Sequence, residues 1–155
     1  FFSVLSDLVK TMSNNPTMHR EAFNLLCNQE IGRGISRSVF GSEILRDCVI
    51  KVESESCSFQ NVIEWETWQR VKDTDHSNWF APCRWISPNG SILVMEKTER
   101  VAKTAYPEKM PIFFTDFIYL HFGFYDGRIV CHDYGTSLIF EYGMTKRMKK
   151  ADWWD

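Results

Sequence analysis

Residues 127–135 read GRIVCHDYG: a glycine turn, a short β-branched run, then Asp133-Tyr134-Gly135. Asp beside Gly is a common way to leave a strand, because Asp bonds its own backbone and Gly accepts a positive φ. The same residues also suit a Mg²⁺-ligating carboxylate held at a strand end. The tripeptide alone does not choose between these readings, so the rest of the chain has to supply the context.

At 155 residues the chain has the length of one cored domain. With 44% hydrophobic and 25% charged residues it reads as an ordinary globular protein. Twelve Phe and six Trp favour a densely packed core. A net charge of −2 gives no general pull toward nucleic acid or an anionic membrane. The longest apolar runs, PIFF and SILVM, fall far short of a membrane span. The opening FFSVLSDLVK has no basic leader and no small-residue cleavage site, so it is not read as a signal peptide. The five cysteines are odd in number and show no C-x-x-C pair, and the four histidines are scattered without zinc-binding spacing. Reduced thiols in a cytoplasmic protein without zinc are expected.

Phe1, Val4, Leu5, Leu8 and Met12 recur at helical spacing, and a second short helix is predicted over residues 16–27 with Phe23 and Leu26 on one face. Three strands follow between Ile31 and Val52, with turns near Gly34 and at Arg46-Asp47. SFQNVIEWETWQRVK returns to a helical period, with Val62, Trp65 or Trp68, and Val71 as its inner face. APCRWIS and SILVMEK read as two strands joined by the turn Pro88-Asn89-Gly90. VAKTAYPEKMP reads as loop, FYDGRIVCHDYG as a hairpin around Asp126-Gly127, and the tail as a last helix or an irregular docked segment. The run Lys146, Arg147, Lys149, Lys150 beside Trp153 and Trp154 is a combination met at nucleic-acid surfaces. The better reading is two Trp anchoring the tail and solvated lysines.

Taken in order, a glycine turn, a strand with Lys, a helix with Glu, two strands, an Asp and a strand ending in Asp-Tyr-Gly resemble the protein-kinase-like fold. In IGRGISRSVF, Gly32 and Gly34 match the first two glycines of the nucleotide loop and Val39 the residue packed on adenine; Arg37 stands where the third glycine belongs. CVIKVE places Lys51 at the phosphate-binding lysine. Glu64 and Glu66 are candidates for its partner, with Glu64 preferred because Trp68 and Val71 then follow at four and seven residues. Met95 would guard the pocket, and Glu96, Lys97 and Thr98 would offer backbone groups to adenine. Asp116 matches the catalytic aspartate, His121 the metal-binding Asn five residues later, and Asp133 the metal-binding Asp of the Asp-Phe-Gly motif. The His-Arg that precedes the family's catalytic Asp is absent; Phe114-Thr115 stands there.

The resemblance covers about residues 31–135 and implies an α+β fold. Its parts would be an N-terminal helical extension (1–28), a five-stranded antiparallel small lobe with one packed helix (29–98) and a much reduced second lobe (99–155), a compactness similar to bacteriophage kinase-like proteins. It implies binding of ATP with Mg²⁺ or Mn²⁺, His121 favouring the softer ion. In one reading the chain is a minimal phosphotransferase acting on a protein. In the other it is a pseudokinase-type interaction protein, phage-encoded, that modulates a host protein in the host cytoplasm without catalysis. Neither reading requires nucleic acid or a membrane, and the oligomeric state stays open.

Overall fold

A computed structural model describes residues 16–54 and 58–155 of the chain. The helix expected from Phe1 to Met12, and Cys57, lie outside them. The fold is α+β, with a five-stranded antiparallel sheet and three α-helices among the described residues.

Helix α1 (Pro16–Leu26) buries none of its residues fully and leans on the sheet through Phe23, whose ring meets Phe40 edge-on at 5.3 Å. Strands β1 (Gln29–Arg33), β2 (Arg37–Gly41) and β3 (Cys48–Glu53) follow as a meander, with turns near the two expected positions. After α2 (Gln60–Val71) come β4 (Cys83–Ile86) and β5 (Ile92–Glu96), and the sheet order is β1-β2-β3-β5-β4. Gly90 closes the β4–β5 turn at φ 75°, and Asn89 Oδ1 accepts from the Ser91 N–H and the Ser87 hydroxyl. The Asn side chain thus stands in for a backbone acceptor at the turn.

Helix α2 packs across the sheet, against β3, β4 and β5. Its first turn has no side-chain cap of its own; the carboxylate of Glu53 accepts the Asn61 N–H at 2.8 Å instead. The buried face differs in part from the expected one: Val71 is buried as expected and Val62 only partly. Asn61, Glu64, Thr67 and Val71 point inward, while Trp65 and Trp68 are partly buried at the flanks. The physical reason is what lies beneath: Asn61 reaches the carbonyls of Lys51 and Ser91, and Glu64 reaches charged groups. An apolar stripe would leave those polar groups unmatched.

The second half begins with a 3₁₀ turn (Lys103–Ala105) and a short strand β6 (Lys109–Pro111), where a plain loop was expected. Strands β7 (Phe122–Tyr125) and β8 (Arg128–Cys131) form the expected hairpin, with Asp126 at φ 47° and Gly127 at φ 82°. Two positive φ values match the twist of a tight hairpin. After a short α3 (Ile139–Tyr142), β9 (Met148–Lys150) pairs antiparallel with β6. That partner lies about forty residues away, so local periodicity could not reveal either strand. Trp153 docks as expected, donating its indole N–H to the Pro107 carbonyl at 2.8 Å among Tyr106, Phe117, Tyr119 and Phe122.

One apolar core runs through both halves, from Leu93, Met95 and Val71 to Phe113, Phe122 and Tyr134. The halves are also stitched by backbone bonds: Ala81 N–H to Cys131 C=O at 2.8 Å, and a two-way bridge between Glu99 and Phe124. The four described cysteines are free. No helix among the described residues is long and apolar enough to cross a membrane.

Candidate functional site

Strand alternation sets the site. Arg37 and Val39 are two apart on β2 and so share a face, and Val39 stands opposite Lys51 of β3. Beneath that face runs the polar line of α2, and the segment leaving β8 delivers His132, Asp133 and Tyr134 against it.

Lys51 is 3% exposed and Glu64 is wholly buried. The Lys51 ammonium donates to Glu64 Oε2 at 2.8 Å and to the His132 carbonyl. Glu64 also accepts the Tyr134 N–H at 3.1 Å and a two-pronged contact from Arg37 at 2.9 and 3.0 Å. The Arg37 fork then reaches Asp133 Oδ1 at 2.6 Å and, more weakly, Asn61 Oδ1 at 3.4 Å. Burial opposes the charge on Arg37, but the Glu64 and Asp133 carboxylates outweigh it and its pKa rises. For Asp133 burial would raise the pKa; the nearby Lys51, Arg37 and His121 more than offset it and hold the carboxyl below its ordinary range.

His121, in the 3₁₀ turn Tyr119–His121, stands between two carboxylates. Its Nδ1 faces Asp116 Oδ2 at 3.8 Å and its Nε2 faces Asp133 Oδ2 at 3.7 Å, too long for hydrogen bonds. His132 bonds differently: Nε2 lies 2.8 Å from the Leu120 carbonyl and Nδ1 2.7 Å from the Thr98 hydroxyl. The carbonyl can only accept, so Nε2 carries the proton and the Thr98 hydroxyl donates to Nδ1. Burial first, then the Lys51 charge, brings the His132 pKa down to about 4, so the ring is neutral. The Tyr134 ring is fully buried, and its hydroxyl donates to the Ala81 carbonyl at 2.9 Å and meets Cys83 Sγ at 3.0 Å.

The structure therefore brings Lys51, Glu64, Asp133, His121 and Asp116 together. Glu66, the other candidate on α2, is exposed. Thr98 joins the cluster through His132. Of the remaining candidates, Val39 borders the charges opposite Lys51, and the others place no side chain among them. Gly32 pairs opposite Val39 in the sheet, and the Gly34 N–H closes the β1–β2 turn on the Arg37 carbonyl at 2.7 Å. Met95 is fully buried. The backbone expected to face adenine is partly engaged: the Glu96 N–H goes to Pro82 and the Lys97 N–H to Asp47, both at 2.8 Å, and the Glu96 carboxylate pairs with Arg84.

Three participants escaped the sequence reading. Arg37 counted there only as a lost glycine, although its alternation with Val39 toward Lys51 was a usable signal. Asn61 was hidden by the search for an apolar helix face. Ser137 is the third: it lines a cavity of about 10 Å³ with Asp116, His121 and Asp133, and its buried hydroxyl has no hydrogen-bond partner. That volume admits about one water molecule.

A divalent cation on Asp133 and His121 does not fit this arrangement. Asp133 Oδ1 already carries the Arg37 guanidinium. Among the described residues, no group of three or more His, Cys, Asp or Glu is arranged to hold a metal ion.

Compared with known proteins, the sequence matches no protein-family model and no curated protein.

Proposed function

We propose that the chain is a kinase-like nucleotide-binding protein in which Lys51 contacts the phosphates of ATP and Glu64 positions Lys51. The observation that carries this reading is the buried Lys51–Glu64 pair beside Asp133. Taking two charges out of water costs several kcal/mol per ion, and a well-packed apolar pair would stabilise a core at least as well. A buried strand-to-helix ion pair opening toward further carboxylates is thus better explained by a charged ligand than by stability. The Asp-Tyr-Gly segment at the same site supports the same reading, and α2 packed against β3, β4 and β5 of the five-stranded sheet agrees with it. In a phosphotransferase, Asp116 would orient an acceptor hydroxyl and accept its proton, and catalysis would rest on positioning and charge.

Calorimetric titration with ATP tests this. Lys51→Ala is expected to weaken binding by roughly ten- to a hundredfold, because a direct phosphate contact is lost. Absence of any calorimetric or thermal-shift response to ATP in the unmodified chain sinks the nucleotide reading.

A second reading, a pseudokinase-type protein that binds a host protein without catalysis, is favoured by the Arg37 guanidinium on Asp133. If ATP binds but no acceptor is phosphorylated, this reading stands; if transfer occurs and Asp116→Asn leaves it unchanged, the catalytic role of Asp116 fails and so does this reading.

A further inference from the structure

The position that should be a glycine holds a buried arginine, and its contacts are those of a cation occupying a site. Two positive groups, Arg37 and Lys51, face two carboxylates, Glu64 and Asp133, so the four formal charges sum to zero. Arg37 spends both terminal nitrogens on this: one on Glu64 and Asn61, the other on Glu64 and Asp133. The planar fork allows both carboxylates to be met at once from a buried position. We propose that Arg37 is a built-in counter-cation that holds Asp133 in place of a divalent metal ion and closes the site to free metal. The idea rests on the nucleotide-site reading for the meaning of Asp133, but the latch itself is a matter of the ion pairs.

The charge balance gives the latch its direction. A metal ion that takes both Asp133 oxygens must break the 2.6 Å contact and leave a buried guanidinium short of one partner. A polyphosphate could compensate Arg37 as it leaves, because its oxygens carry the negative charge that the guanidinium loses with Asp133. The ligand class that opens the site is therefore an anionic phosphate ester, not a cation by itself.

The test is Mn²⁺ binding without nucleotide, followed by electron paramagnetic resonance of the free ion. The unmodified chain should show no binding below the millimolar range, and Arg37→Gln should bind at least roughly tenfold tighter. The gain should vanish in the double variant Arg37→Gln with Asp133→Asn. Arg37→Lys, milder for folding, should fall between, because an ammonium cannot fork onto both carboxylates. Equal Mn²⁺ binding by the unmodified chain and both single variants overturns the proposal, as does a gain that survives Asp133→Asn. ATP titration of the same samples keeps the two ideas separable. If none binds ATP, the nucleotide reading falls, and the Mn²⁺ series alone still decides the latch.

Discussion

Replacing Glu64 by Gln probes the whole cluster, because this one carboxylate receives Lys51 at 2.8 Å, Arg37 through two nitrogens, and the Tyr134 N–H at 3.1 Å. Gln keeps the size and one carbonyl oxygen, so the Tyr134 bond can persist and packing is nearly unchanged. What is lost is the charge, and it is lost where its two cationic partners are almost fully buried. Breaking a buried pair from one side costs about 3–5 kcal/mol, since the partner charge stays desolvated. For a domain of this length each kcal/mol lowers Tm by about 2–4 °C, so a drop of roughly 6–20 °C is expected. Urea and thermal unfolding followed by circular dichroism would measure it. Lys51→Met in the Glu64→Gln background supplies the coupling term, and the double variant should be less destabilised than the sum of the singles. A loss below about 1 kcal/mol for Glu64→Gln, or strict additivity of the pair, would refute the picture of a desolvated ionic cluster.

Other outcomes follow from single contacts. Tyr134→Phe removes a buried hydroxyl that serves Ala81 and Cys83, and should cost about 1–2 kcal/mol in urea unfolding; a neutral result would mean the Ala81 carbonyl finds another donor. Gly123→Ala would put a Cβ 2.4 Å from Thr98 Oγ1 and 3.0 Å from the Glu99 carbonyl, so about 1–3 kcal/mol is expected, with a change in His132 chemical shifts by NMR as its Thr98 partner moves. His132 titrates near 6.5 when unfolded and near 4 when folded, so between these values only the unfolded chain takes up the proton. Stability should therefore fall by about 1–3 kcal/mol as the pH drops from 6.5 to 4. Asp133 acts in a separate window, below its ordinary 3.8, and His132→Asn should flatten the upper one; an unchanged profile contradicts the assignment. Thiol titration in denaturant without reductant should count five free cysteines, while Cys83, its pKa pushed up to about 12 by burial, should react only after unfolding.

What the sequence disclosed was what depends on spacing. The strands from Gln29 to Glu53, the hairpin at Asp126-Gly127 and the choice of Glu64 over Glu66 for Lys51 all rest on local period and turn chemistry. Distant pairing was not disclosed. Strand alternation puts Arg37 on the face of Val39, but only the fold shows that Glu64 and Asp133 wait beneath that face. On the inner face of α2 Val71 is legible from hydrophobicity and Asn61 is not, because Asn61 is buried as a partner of the Lys51 and Ser91 carbonyls. Strand β6 was invisible because its partner, β9, comes so much later in the chain.

The β6–β9 pairing also bears on how the chain is made. The five strands of the main sheet are contained within residues 29–96, so this sheet can close while later residues are still being added at the ribosome. Residues 106–122 cannot finish packing at that stage. Met148–Lys150 supplies the missing edge for Lys109–Pro111, Trp153 fills the space among Tyr106, Phe117, Tyr119 and Phe122, and Trp154 bridges to Ile118. Vectorial synthesis thus delivers the sheet that carries Arg37 and Lys51 first, and the aromatic nest behind Asp116 only after residue 154 has left the exit tunnel.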